Sequence, residues 1–165
     1  MACRQRLIQI LWMPEPDSLQ ALRARALGCL SRREYSRDEL YRKLAPYTED
    51  PDKLNSLLED LKARGWLSDQ RFVEQIVHAR QGKFGSQRVA HELRQKGVAE
   101  ELIGTALEQV KEGELEAAKA VWQRKFGRLP VDAKDRAKQI RFLQSRGFGG
   151  DIIRNVLKHG DDGVV

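Results

Sequence analysis

Cysteine, aromatic residues and long apolar runs are all scarce in this 165-residue chain. The two cysteines, Cys3 and Cys29, form no Cys-x-x-Cys pair, which argues against a disulfide framework and suits a reducing cytoplasm. The longest apolar run, Leu7–Met13, is interrupted only by Gln9 and is too short to span a membrane. It is followed by Pro14–Asp17 rather than by a small-residue cleavage site. Aromatic residues make up only 7% of the chain, which favours packed helices over a β-sandwich. We therefore expect a cytoplasmic protein with no membrane segment.

Motifs that carry chemistry are also missing. The most glycine-rich stretch, Gly147–Gly150, lacks the Lys-Ser/Thr of a nucleotide-binding loop. His78, His91 and His159 fall on separate predicted helices, and no metal-ligand spacing of His or Cys occurs. Adjacent acidic residues point apart on a helix, so they offer no carboxylate pair for acid–base work. The sequence predicts a protein without enzymatic activity, cofactor or metal.

What the chain does have is positive charge. Its formal net charge is +6 and its pI is about 9.5, while hydrophobic residues make up 41% and can support a core. The charge is regional: the segment Lys62–Lys96 holds eight basic and three acidic residues, and Lys134–Lys158 holds seven and two. Such blocks favour contact with nucleic acid or with an acidic protein surface.

Helix signals run through the chain from residue 18 onward. Ser36 and Glu39 have the spacing of a capping box, and Asp50–Pro51 is typical of an N-cap followed by a proline in the first turn. Apolar residues recur at i, i+3 and i+4 between caps and glycines. We predict nine helices joined by short turns. The predicted N-caps are Ser18, Ser36, Asp50, Ser68, Ser86 and Asp132, and the glycines at or near helix ends are Gly65, Gly82, Gly97, Gly113, Gly127, Gly147 and Gly160.

An internal repeat emerges when those glycines are aligned. The segment Leu93–Gly97 recurs 50 residues later as Leu143–Gly147, and five apolar positions that follow match at the same offset. A less regular copy lies upstream, around Leu40 and Leu44. The expected fold is all-α, with three tandem three-helix repeats stacked into an elongated right-handed helical body. The expected boundaries are a leader at 1–16, repeats at 17–65, 66–112 and 113–160, and a tail at 161–165.

The two basic blocks fall on matching parts of the second and third repeats, so stacking would align them along one side. The residues predicted to bind a partner there are Arg71, Arg80, Lys83, Arg88, Arg94, Lys96, Lys138, Arg141 and Arg146. For any one of them the alternative is a solvated helix face, and Arg141 and Arg146 could instead cap helix-end carbonyls. Trp66 and Phe84 are expected to pack at helix ends rather than to face a partner.

Several segments together resemble one family. Leu61–Phe72, Arg80, Gly85 and Glu92–Val98 are similar to the central signature of RecX proteins, and Arg124–Gly127 with Arg141–Phe148 is similar to the signature of their third repeat. The similarity extends from Leu22 to Leu157 and leaves residues 1–16 outside it. Trp66 stands where the family usually has tyrosine, and Ser68 where an acidic residue is common.

The resemblance implies a regulator that binds the RecA recombinase and its filaments on single-stranded DNA. We further expect it to be a monomer and to have single-stranded DNA as a second candidate partner. It further implies inhibition of RecA's ATPase and strand exchange, in the control of DNA repair, recombination and the SOS response. The residues alone leave a second interpretation open, because a basic three-helix unit also suits a helix-turn-helix protein that binds DNA without RecA.

Overall fold

The computed structural model describes residues 18–159, and within that range the regular structure is entirely helical. A single 3₁₀ turn, Ala45–Tyr47, follows the second helix. The α-helices are α1 (Leu19–Leu30), α2 (Arg37–Leu44), α3 (Pro51–Ala63), α4 (Asp69–Arg80), α5 (Ser86–Gln95), α6 (Glu100–Glu112), α7 (Glu114–Lys125), α8 (Ala133–Ser145) and α9 (Gly150–His159). The prediction of an all-α chain with a helix at each of these places is confirmed. The predicted leader and tail lie outside the described residues.

Side-chain capping explains where several of these helices begin. The Oγ atoms of Ser18 and Ser36 accept hydrogen bonds from the backbone N–H groups of Ala21 and Glu39, at 3.1 and 3.0 Å. Asp132 accepts from the N–H of Asp135 in the same way, at 2.7 Å. Each cap satisfies a backbone donor that has no partner inside the helix. The predicted caps at these three positions are confirmed.

The 50-residue repeat is visible in the backbone of the two matching turns. Gly97 and Gly147 have φ values of +69° and +84°, in the left-handed region that favours glycine, as predicted. The N–H of the next residue, Val98 or Phe148, donates to the carbonyl of Leu93 or Leu143 at 3.2 Å in both repeats. The chain therefore leaves α5 and α8 by the same Schellman-type turn.

Each group of three consecutive helices has its own hydrophobic cluster. The first is centred on Leu22, Leu40 and Leu58, the second contains Phe72 and Leu93, and the third is built around residues that include Trp122, Leu143, Phe148 and Val156. All the residues named here are at most 2% exposed. The repeat architecture therefore rests on three small hydrophobic cores, one after another along the chain.

One expected core residue is on the surface. Trp66 was expected to fold back on the end of α3, but it is 44% exposed, with the Arg64 guanidinium 5.4 Å from its ring centre. Leu67 is the residue that packs into the first cluster instead, and it is 2% exposed. The closing turn at Gly65 places residue 67, rather than residue 66, over the end of α3.

The chain divides into two compact units. The first ends at Asp69 and contains α1 to α3; the second begins at Gln70 and contains α5 to α9 with nearly all of α4. The second and third helical repeats thus share one unit. All nine of the predicted partner-binding residues belong to this second unit.

Candidate partner-binding surface

Three arginines predicted to bind a partner surround one phenylalanine in the second unit. The guanidinium carbons of Arg88, Arg146 and Arg80 lie 5.1, 5.3 and 5.9 Å from the ring centre of Phe84. Phe84 is half-buried, just after the end of α4, and Arg146 also lies 5.4 Å from the ring centre of Phe142. We call Arg80, Phe84, Arg88 and Arg146 the Phe84 cluster. It joins side chains of the second and third repeats.

Backbone hydrogen bonds between the segments around Gly85 and Gly147 bring these arginines together. The N–H of Gly85 donates to the carbonyl of Arg146 at 2.9 Å, and the N–H of Gln87 donates to that of Gly147 at 3.2 Å. A Cβ atom on Gly85 would lie 2.3 Å from the Gly147 oxygen, and one on Gly147 would lie 2.4 Å from the Arg88 Cβ. The start of α5 therefore rests directly on the turn after α8. This contact uses donors and acceptors that helix ends leave unpaired.

A buried carboxylate completes the same junction. One Glu114 oxygen accepts hydrogen bonds from the backbone N–H and the hydroxyl of Ser86, at 2.8 and 3.0 Å, and Glu114 is 5% exposed. The prediction that Ser86 caps α5 is wrong: Gly85 is the N-cap, and Ser86 is the first helical residue. Glu114 instead brings a negative charge to the positive end of the helix dipole. The start of α7 is thereby tied to the start of α5.

Positive charge is only partly neutralised in the Phe84 cluster. Arg80 forms a two-point ion pair with Glu92, both N–O distances being 2.8 Å. This hydrogen bonding by Arg80 is the main reason that the pKa of the Glu92 carboxyl is lowered. Arg88 donates to the Ser145 carbonyl at 3.3 Å, but neither Arg88 nor Arg146 has a carboxylate partner among the residues that the structure describes. Of the three guanidinium groups, only that of Arg80 is ion-paired with a carboxylate.

Other predicted residues are placed differently. Arg94 is paired with Glu100 at 2.6 Å on the surface, and this hydrogen bond raises the pKa of Arg94 and lowers that of Glu100. Lys138 and Arg141 line a separate open cleft of about 340 Å³ beside Asp132 and Asp135.

The remaining members of the predicted set are single positions on α4, α5 and the loop between them. Lys83 is exposed next to Phe84 in the chain, Lys96 is half-buried at the end of α5, and Arg71 is exposed in the first turn of α4. The structure thus gathers Arg80, Arg88 and Arg146 around one ring, and it leaves the predicted residues as several groups rather than one strip.

Two residues of this region, Phe84 and the buried Glu114, were not predicted from the sequence to take part in partner binding. Phe84 was interpreted as a packing residue. The recurrence of Lys-Phe-Gly at 83–85 and 125–127 was the signal in the sequence that distinguished this phenylalanine. Phe126 does pack, edge-to-face against Phe142 with ring centres 5.3 Å apart, whereas the Phe84 ring is surrounded by the arginines. Glu114 gave no signal, because nothing local shows that a carboxylate will meet a helix start 28 residues earlier.

Two kinds of site are absent from the described part of the chain. Between residues 18 and 159 no group of three or more His, Cys, Asp or Glu side chains could hold a metal ion. Nor does any helix in this range have the length and apolar character needed to cross a membrane.

Comparisons with known proteins identify the family. A model of the second three-helix domain of RecX matches residues 68–107, and a model of the third matches residues 112–157. The regulatory protein RecX of Chromobacterium violaceum is 48% identical over 143 residues, which cover 87% of this chain and 93% of that protein. That of Ralstonia pickettii is 42% identical over 150 residues, covering 91% and 94%.

A solved structure shows the same fold. The crystal structure of RecX from Lactobacillus salivarius matches with a TM-score of 0.77 at 20% identity, covering 87% of this chain and 96% of that one. The family models, the relatives and the fold therefore agree with the residues that first suggested the resemblance, and the chain belongs to the RecX family of regulatory proteins.

Proposed function

We propose that this protein binds RecA and RecA filaments on single-stranded DNA and lowers RecA's recombinase activity, with the Phe84 cluster at the centre of the contact. In this proposal it acts as a monomer in the cytoplasm, by binding and without a reaction of its own. The other predicted basic residues, Arg71, Lys83, Arg94, Lys96, Lys138 and Arg141, extend the contact across the second and third repeats.

The observation that carries the proposal is the unpaired charge at Phe84. Guanidinium groups repel each other, and only Arg80 of the three around this ring is ion-paired with a carboxylate, so a further anion would stabilise the cluster. Contact with the ring offsets part of the repulsion, by about 0.5–1 kcal/mol for each exposed cation. Arginine forms two-point hydrogen bonds with carboxylates and with phosphates, and a protein filament on DNA offers both.

Rigidity supports the same proposal. Arg88 and Arg146 belong to helix segments joined by the backbone hydrogen bonds of Gly85 and Gln87. Glu114 and Ser86 hold the start of α5 from the other side. A surface that is already ordered loses less conformational entropy on binding.

The experiment is RecA-dependent ATP hydrolysis on single-stranded DNA, with this protein added at substoichiometric amounts. We expect the rate to fall, and we expect less inhibition at higher salt because the contact is electrostatic. An unchanged rate, together with base-sensitive binding to duplex DNA when RecA is absent, would contradict the proposal and favour a helix-turn-helix DNA-binding protein.

A further inference from the structure

A second basic site lies in the first unit, on a repeat that carries none of the residues assigned above. A cleft of about 370 Å³ opens between the C-terminal half of α1 and the end of α2 with its 3₁₀ turn. Arg25, Arg32 and Lys43 stand around it, Cys29 and Pro46 contribute apolar surface, and the buried core residue Leu44 also lines it. Tyr47 is 44% exposed at its edge.

These three cations differ from most others of the first unit. Among the residues that the structure describes, none of Arg25, Arg32 and Lys43 has a carboxylate within ion-pairing distance. The arginines of this unit that do have ion pairs are Arg23, Arg33, Arg37, Arg42 and Arg64, with partners Asp60, Glu39, Glu59, Asp38 and Asp60. The first unit therefore neutralises its basic residues widely but leaves three positive charges around one cleft.

We propose that this cleft binds an acidic peptide segment of a partner protein, one that bears an apolar side chain between its carboxylates. The carboxylates would pair with Arg25, Arg32 and Lys43, and the apolar side chain would lie on Cys29 and Pro46. The cleft is half apolar and of the size of a few side chains, whereas a nucleic-acid backbone needs a track of cations.

The aromatic residue at the edge of the cleft favours the same occupant. The Arg25 guanidinium lies 4.1 Å from the ring centre of Tyr47 and covers one face of the ring, so that face is not open to stack on a base. Tyrosine and arginine together are the residue types that contribute most where proteins bind proteins.

The test uses a fluorescein-labelled peptide, Glu-Glu-Leu-Glu-Glu, titrated with the full chain and followed by fluorescence anisotropy. Arg32→Glu should weaken its binding about tenfold, which corresponds to about 1.4 kcal/mol. Lys62→Glu is the matched control: it makes the same charge change at an exposed lysine of α3 that does not line the cleft, and it should leave the affinity nearly unchanged. The uncharged peptide Gln-Gln-Leu-Gln-Gln should not bind.

A separate measurement, the rate at which Cys29 is alkylated, shows whether the peptide binds in the cleft. Cys3→Ser leaves Cys29 as the single cysteine, and the bound peptide should slow its alkylation by iodoacetamide. The measurement uses neither RecA nor DNA and follows Cys29 inside the cleft, so this site can fail or succeed independently of the Phe84 cluster. Equal weakening by Arg32→Glu and Lys62→Glu, binding without protection of Cys29, or Arg32-dependent binding of an oligothymidylate in place of the peptide would each overturn the proposal.

Discussion

At the scale of single residues, the two matching leucines before the closing glycines show how burial sets stability. Leu93 and Leu143 are both 0% exposed, each within the cluster of its own repeat. Leu143→Ala should lower the free energy of unfolding by about 2–5 kcal/mol, because it removes packed methyl groups and leaves a cavity. Val131→Ala, at a side chain 75% exposed, is the control and should change it by less than about 0.5 kcal/mol. Urea denaturation of both variants measures the difference; similar midpoints would count against a packed third core.

Two glycines of the second unit allow the backbone strain and the steric overlap caused by an added side chain to be measured separately. Gly82 and Gly147 both have positive φ, +72° and +84°, but a Cβ on Gly82 would meet nothing within 4 Å. Gly82→Ala should therefore cost about 1–2 kcal/mol for the left-handed backbone alone. Gly147→Ala should cost clearly more, because its Cβ would overlap Arg88 and force α5 away from the turn after α8. Thermal melts that rank the two variants equally would contradict the close contact at that junction.

At the scale of helices, the ion pair between Arg80 of α4 and Glu92 of α5 makes stability depend on pH. The pKa of Glu92 is lowered in the folded state, chiefly by the hydrogen bonds from Arg80. The pair's contribution is therefore fully present above the unfolded-state pKa of about 4.3, and it is lost as the pH falls through the lower folded value. A double-mutant cycle with Arg80→Gln and Glu92→Gln should give a coupling of about 1 kcal/mol at neutral pH. The coupling should vanish in strong acid.

The Arg94–Glu100 pair offers a comparison for that cycle. Both of its side chains are more than half exposed, whereas the Glu92 side chain is 24% exposed. Because water and salt screen exposed charges, the coupling in this second pair should be smaller and should fall more steeply with added salt. A larger coupling for Arg94–Glu100 would mean that burial does not decide the strength of these pairs.

Helices and their ends could be predicted from the sequence because the signals are local. A serine three residues before a glutamate, or a glycine after an apolar run, fixes a cap or a closing turn within one segment. The predictions for Ser86 and Trp66 were wrong because the roles of these residues depend on tertiary contacts. The role of Ser86 depends on Glu114, which is 28 residues later, and the burial of Leu67 in place of Trp66 depends on packing against the rest of the first core.

At the scale of the whole molecule, the sequence predicted where positive charge is concentrated but not which charges are neutralised. Arg80, Arg88 and Arg94 all lie in one basic block, yet two have carboxylate partners and Arg88 has none among the described residues. The partners, Glu92 and Glu100, are 12 and 6 residues away along the chain, distances that follow no helical rule. The ring that gathers Arg88 and Arg146 likewise depends on a junction between repeats.

We infer that the unpaired arginines of the Phe84 cluster face the RecA filament. The most direct test is inhibition of RecA ATP hydrolysis on single-stranded DNA by the double variant Arg88→Glu with Arg146→Glu. The control is Lys111→Glu, the same type of charge reversal at an exposed lysine of α6. If the double variant melts early, Arg88→Glu alone replaces it, because that side chain is exposed.

We expect the control to inhibit like the unchanged protein. The double variant should need about a tenfold higher concentration, equivalent to about 1.4 kcal/mol of binding energy, and its residual effect should depend less on salt. A double variant that melts normally and still inhibits at the original concentration, with the original salt dependence, would contradict the claim.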